Sequence, residues 1–590
     1  MSSLTSLMTW DLSDLFLSES DPAIHDILVS SPQKAKLFHQ KYRGRVIYLS
    51  TKELYAAYEE LEDILTPYYK LSQFVSLAYS IDTSNHDLKK LQAIVDEVGS
   101  EISNLLLFFD LEIGSIPEPL ITQHFHEIPQ YSYSLKRNYD TAKYHLTEKE
   151  EQVLNLKSLT SADAFVKLYE ELTSSFEFEL EVDGVVKKMN GSELRALRQH
   201  PNQEVRKKAM ALFFNRYKDH EMVLTHIFNY VVKDFNVIRK LRGYHSPISK
   251  RNMGNDLPDH VIDMLHHVTE DSYSLVSRYY VIKKKLLGLS EMTLADIYAP
   301  LEQSQKEYSF DEAKDLVLRG FKSFDSQFYD YANIMFTQNR IHAPVLPKKR
   351  GGAFCSSSVP GIYPYVMLNF LGRQRDVATM AHELGHAIHA CFSSIQKLTN
   401  YHAILPLAET ASVFSENIIL DLMKKEETSK LGKQIILTNQ LEDIFATSHR
   451  QNMFSRFEIQ SHEIISKSLM SSQELCELYG QELKKMFGNS VVMPDEYKWE
   501  WLSIPHLLEY PFYVYSYNFG NLLVLALYQQ YLEEGPLFIP KLKQILSMGA
   551  SKSPQDILKV VGVDIEDRQF WEKSIKYIDS LITELELLIS

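Results

Sequence analysis

The sequence predicts a mainly α-helical protein with one small β-sheet, and three observations carry that reading. Glycine and proline number 21 each in 590 residues. Together they are roughly 7% of the chain, where about 12% is ordinary. A chain so poor in turn-makers does not suit a many-stranded sandwich, a propeller or a disordered linker. Apolar residues recur at three- and four-residue spacing, as in Leu91, Ile94, Val95, Val98 and Ile102. Strict alternation is confined to the stretch from Phe176 to Val182, which meets Asp183-Gly184 before Val185-Val186. That pattern is a β-hairpin with an Asp-Gly turn.

Helical periodicity runs from about Pro32 to Asp110 and breaks at Gly114-Ser-Ile-Pro-Glu-Pro119. The expected domains are therefore a helical region over 1–115, a helical segment with the hairpin over 116–190, and a large third domain over 191–590. Ser192 is the expected start of the helices of that domain, and Arg195 to Lys240 reads as one long amphipathic stretch. Between His342 and Phe370 prolines and glycines gather, around short apolar runs at Ala353-Phe354-Cys355 and Tyr365 to Phe370. Those runs suit strands.

Composition narrows the function. A net charge of −15 argues against a general nucleic-acid binder, which needs a basic face to displace counterions. The strongest basic cluster, Arg239 to Arg242 with Lys250-Arg251, reads as a solvated helix end and loop. The longest apolar run, Leu522 to Leu527, is far short of the roughly 20 residues that span a bilayer. Cys355, Cys391 and Cys476 are too few and too far apart for a disulfide framework. With no basic, apolar leader at the N-terminus, the expectation is a cytoplasmic protein without membrane or nucleic-acid partners.

The chemistry concentrates in His382-Glu383-Leu384-Gly385-His386, inside a run from Arg375 to Phe392 that reads as one helix. Residues four apart on a helix are neighbours, so two imidazoles can close on one metal and leave Glu383 beside its open position. Zinc suits such ligands and makes a bound water acidic near neutral pH, with Glu383 as its base. The chance count of this motif in the chain is on the order of 0.05, and the apolar flanks Val377, Met380, Leu384 and Ile388 suit a buried site helix. Gly385 costs about 1 kcal/mol mid-helix relative to Ala, a cost better tolerated where another backbone comes close.

His389 lies roughly 10 Å along the axis from His382, so the three histidines cannot share one ion on a straight helix. The extended metzincin pattern fails too, because His389 and Phe392 stand where it needs Gly and His. The segment from Pro406 to Asp421 reads as a second helix and offers Glu409, twenty-three positions after His386, as the third ligand. His402 is the alternative. Glu416, two turns after Glu409, reads as an acceptor orienting a ligand imidazole, against a surface carboxylate. Near the C-terminus His506, Tyr510, Tyr513 and Tyr517 stand in an aromatic run. They read either as core or as donors to the oxyanion of an attacked carbonyl.

These motifs, with Gly351-Gly-Ala-Phe-Cys355 and the opening Trp10-Asp-Leu-Ser-Asp-Leu-Phe16, resemble the oligoendopeptidase F branch of the thimet oligopeptidase family of zinc peptidases. The resemblance implies a zincin-type catalytic core with a small sheet. It also implies a two-lobed helical shell around a deep channel that admits only short peptides. It implies one zinc per chain on His382, His386 and Glu409, with Glu383 as base. His506, Tyr513 and Tyr517 become candidates for catalysis and Tyr510 for substrate contact. Gly352, Ala353 and Phe354 would pair with the substrate backbone. The expected activity is endopeptidase cleavage of oligopeptides. The alternatives are a peptidyl (dipeptidyl-type) carboxypeptidase, which would need a cationic anchor such as Arg242 or Arg251, and a non-catalytic peptide-binding protein.

Overall fold

A computed structural model describes residues 8–301 and 306–589. The N-terminal leader reading includes residues 1–7, which lie outside the described residues. Helices dominate, with five short strands among the described residues, as the scarcity of glycine and proline implies. Many helix starts are written locally. Ser50/Glu53, Thr147/Glu150, Ser309/Glu312 and Ser471/Glu474 form capping boxes, each satisfying backbone N–H groups that a helix start leaves orphaned.

The chain divides into two compact units, each assembled from three stretches. The first comprises Met1–Lys143, Gln305–Met423 and Gln530–Asp564; the second comprises Tyr144–Ser304, Lys424–Gln529 and Ile565–Ser590.

In the first unit a three-stranded sheet has the order β3-β5-β4, where β3 is Ile341–His342, β4 is Phe354–Ser356 and β5 is Tyr365–Met367. β3 runs parallel to β5, and β4 runs antiparallel to it with Cys355 opposite Val366. The edge of β4 away from β5 thus carries no strand among the described residues. The central strand is buried because Tyr365 and Met367 pack on Trp10, Phe16, Leu71 and Phe74 from the N-terminal stretch. Gln73, on the Thr51–Ile81 helix, donates to the Ser356 carbonyl at 2.9 Å and fixes the end of β4.

In the second unit the hairpin forms where the alternation places it. β1 (Phe178–Val182) pairs with β2 (Val185–Met189), and Asp183 and Gly184 take the left-handed φ values of +53° and +80° that a type I′ turn needs. The single long stretch from Arg195 to Lys240 does not form. It is cut into Gly191–Ala196, Gln203–Lys218 and Glu221–Leu241. Pro201 cannot continue a helix, and the Asn202 side chain caps the next one by accepting from Glu204 N–H. The first of these helices starts from Asn190, not Ser192, because Asn190 and Glu193 close a capping box. Two buried ion pairs lie in this unit, Arg206 with Asp296 at 2.8 Å and Lys283 with Glu442.

Candidate metal centre

The helix Gln374–Ser393 carries the His-Glu-Leu-Gly-His run and is buried on nearly every side from Val377 onward. Asp376 in its first turn accepts from the N–H groups of Leu371 and Arg373 and places a negative charge at the positive end of the helix dipole. The expected helix from Pro406 to Asp421 breaks in two, Leu405–Ala408 and Thr410–Glu426, and the break falls on Glu409 at φ −85°, ψ 2°. Leaving the helical ladder there frees Glu409 to turn toward the first helix. The two segments meet backbone to backbone. A Cβ added at Gly385 would lie 2.6 Å from the Ala411 carbonyl oxygen and from Ser412 Cα.

This approach brings three donors together. Glu409 Oε2 lies 3.4 Å from His382 Nε2 and 3.4 Å from His386 Nε2. A tetrahedral zinc with bonds of about 2.0–2.1 Å sets its ligand atoms about 3.3–3.4 Å apart. The donor set therefore fits zinc in both chemistry and spacing. Among the described residues His382, His386 and Glu409 form the one group of His, Cys, Asp or Glu within 4.8 Å that suits an ion. Neither His389 nor His402 is in it. His389 is 6% exposed and shares the Ala408 carbonyl as a hydrogen-bond acceptor with His386.

The surroundings orient the donors. Glu416 Oε2 lies 3.5 Å from His382 Nδ1, on the ring nitrogen away from the other donors. The Ser412 hydroxyl donates to Glu409 Oε2 at 2.6 Å. Burial alone would lower the His382 pKa, but the hydrogen bond and charge of Glu416, with Glu409 and Glu383, raise it to about 9. Burial holds His386 below its ordinary value against the pull of Glu409. Partial desolvation would raise the half-exposed Glu409, yet the imidazoles of His386 and His382 and the Ser412 hydroxyl keep it below the usual carboxylate range. Burial pushes Glu383 up to about 7, with His382 opposing and the charge of Glu409 adding. Glu383 also accepts a hydrogen bond from the Cys355 N–H of β4. A cavity of about 320 Å³ opens beside it, bounded by Phe354, Cys355, His386, Tyr401 and His402.

Gly352 (φ +80°) leads through Ala353 to Phe354 at the start of β4. In the second unit His506, Tyr510, Tyr513 and Tyr517 form one aromatic cluster. His506 lies 6.1–6.4 Å from each of the three tyrosine rings by centroid. The Tyr517 hydroxyl is 3.4 Å from His506 Nε2. Tyr510 and Tyr517 are 55% and 37% exposed, so they are not core residues. Their neighbour Tyr515 is, being fully buried with its hydroxyl bonded to Asn255.

Sequence reasoning missed Ser412 and the Cys355 N–H. The Glu-x-x-Ser spacing from Glu409 signals the first of these. A backbone donor carries no side-chain signal.

A model described as peptidase family M3 matches residues 333–577, and one described as Oligopeptidase F matches residues 112–178. The oligoendopeptidase F homolog of Borreliella burgdorferi is 27% identical over 591 residues, covering 98% of this chain and 97% of that one. Oligopeptidase PepF of Bacillus subtilis is 26% identical over 597 residues, covering 98% and 87%. The chain belongs to peptidase family M3, in its oligoendopeptidase F branch.

This M3 chain is a metalloendopeptidase, which sets aside the non-catalytic alternative. Peptidases of the family are zinc enzymes, and the His-His-Glu group is in place. Its fold matches that of a Chlamydophila abortus crystal structure described as a peptidase, with a TM-score of 0.89, 26% identity and 98% of each chain covered. Oligoendopeptidase-F of Enterococcus faecium shares the fold at a TM-score of 0.72 and 22% identity, over 96% of this chain and 98% of that one. Among the described residues no helix is long and apolar enough to cross a membrane.

Proposed function

We propose that this chain is a zinc endopeptidase cutting internal bonds of short peptides, with one ion held by His382, His386 and Glu409. The observation that carries the reading is the 3.4 Å spacing of Glu409 Oε2 from both imidazole Nε2 atoms, with Glu383 alongside. When bound there, zinc supplies a Lewis acid that polarises the scissile carbonyl and acidifies a water, and its charge favours the ionised Glu383 that a base requires.

Glu383 takes the proton of the attacking water and hands it to the leaving amine. Its burial raises its proton affinity while the charge of zinc would lower it, and these opposed effects suit a carboxylate that both accepts and returns a proton. The free edge of β4 pairs with the substrate backbone through Gly352, Ala353 and Phe354, a contact that uses backbone groups and so tolerates varied side chains. The cavity beside Glu383 receives one substrate side chain. His506 with Tyr513 or Tyr517 donates to the oxyanion, and Tyr510 contacts substrate. Glu416 holds His382 in the orientation that presents Nε2. The reading includes a cytoplasmic location.

The carboxypeptidase alternative loses both its candidate anchors. Arg242 makes two bonds of 2.5 and 2.6 Å to Glu151, and Arg251 is engaged on the Pro511 carbonyl. The direct test is digestion of C-terminally amidated peptides of graded length, with and without chelator, with the cuts mapped by mass spectrometry. Internal cuts that disappear with chelator are expected. Products released only from peptides with a free C-terminal carboxylate would contradict the endopeptidase reading.

A further inference from the structure

Tyr510 and Tyr513 lie between two helices, His506–Glu509 and Tyr515–Glu534. At Phe512 the backbone takes φ +60°. A bulky residue adopts that left-handed conformation only where its surroundings impose it. Groups distant in sequence do so here. The Phe512 N–H donates to Glu458 Oε1 at 2.7 Å. Arg251 donates to the neighbouring Pro511 carbonyl from Nε at 3.2 Å and from Nη2 at 3.1 Å. The Phe512 ring is fully buried, 4.5 Å from His462 and 5.7 Å from Phe235 by centroid.

Glu458 is 1% exposed, and among the described residues its Oε2 has no hydrogen-bond partner. Burying a carboxyl with half its capacity unused is unfavourable for stability alone. Its one side-chain bond goes to the backbone N–H that lies between two of the clustered tyrosines. Arg251 adds a second tie, with its guanidinium 5.6 Å from the Tyr513 ring centroid.

We propose that Glu458 and Arg251 are positioning residues that hold the Pro511–Phe512 turn and thereby set Tyr510, Tyr513 and Tyr517 around His506. The catalytic consequence rests on the reading that these phenols serve the transition state. The placement itself does not.

The test uses the zinc-loaded full chain with 3-fluorotyrosine placed singly at position 513 or 517, read by fluorine NMR and by kinetics. Glu458→Met removes the acceptor at similar size, and Arg251→Met removes the second tie should the first variant fail to fold. Both should shift or broaden the resonances and lower kcat by about tenfold to a hundredfold with KM little changed. Glu458→Gln, whose amide oxygen still accepts from Phe512, should restore both. Resonances unmoved in Glu458→Met and Arg251→Met would overturn the proposal. If the resonances move while these variants, Tyr513→Phe and Tyr517→Phe all keep the parent kcat, the positioning stands and the catalytic reading of the phenols falls.

Discussion

The metal-binding segment and the tyrosine turn reach order by opposite routes. On Gln374–Ser393 a regular helix fixes His382 and His386 one turn apart, and the segment that brings Glu409 is set by backbone contact at Gly385. In the tyrosine turn the backbone is irregular, φ is positive at Phe512, and the restraints come from Arg251 and Glu458 far along the chain. A metal site tolerates little error in donor spacing, so a rigid repeating element is the natural carrier. Phenols with the role proposed here, meeting a flexible peptide, can be carried on a turn, provided tertiary bonds prevent it from relaxing.

That contrast breaks if the metal segment also depends on fine tertiary ties, so the largest effect should appear where it has one. Glu416→Ala removes the acceptor beside His382 Nδ1 and should weaken zinc affinity about 10–100-fold. Competition with a chelating dye measures this, and unchanged affinity would reduce Glu416 to a surface carboxylate. Gly385→Ala sharpens the comparison by setting two effects against each other. Helix propensity favours Ala by about 1 kcal/mol, whereas the 2.6 Å approach to Ala411 and Ser412 forces the segments apart. Overpacking of this kind costs about 1–3 kcal/mol, so urea unfolding should show net destabilisation. A gain in stability would mean that the contact yields easily.

The smallest effect concerns pH and buried groups of the second unit, two of which, His462 and Glu458, touch the tyrosine turn. Burial holds His462 and His449 at about 3 and His266 at about 4. The unfolded chain, with imidazoles near about 6.5, binds more protons, so these groups lower stability as pH falls from about 6.5 toward 4. Glu458 acts with the opposite sign. Burial raises it to about 8, so its contribution is present in acid and is lost as pH rises through the folded value. Glu458→Gln removes the opposing trend, and its stability should therefore rise more steeply with pH between 5 and 7 than that of the parent. An unchanged or shallower slope would contradict that sign.

These differences also explain what could be read from the amino acids alone. Helices, the hairpin and the His-Glu-x-x-His spacing are local, and each is written within a few turns of chain. Glu409 was legible as a residue type at a plausible distance, but the break that frees it was not, because Leu405 to Glu426 keeps helical periodicity throughout. The division of Arg195 to Lys240 was hidden in the same way, although Pro201 was in plain sight. The positioning roles of Glu458 and Arg251 gave no signal: one of two glutamates in the helix Arg450–Ile465 and half of a basic pair in the short helix Ser249–Asn255 look like ordinary surface. Their roles come from contacts that cross 54 and 260 positions of chain.

The proposed function divides the labour within one helical turn, where His382 and His386, with Glu409 from a second segment, hold the ion and Glu383 handles the proton. Zinc content and peptide hydrolysis measured together on Glu383→Gln test it most directly. One zinc per chain should remain while hydrolysis falls by several orders of magnitude, about 10³-fold or more. Hydrolysis near that of the parent, with zinc retained, would contradict the account.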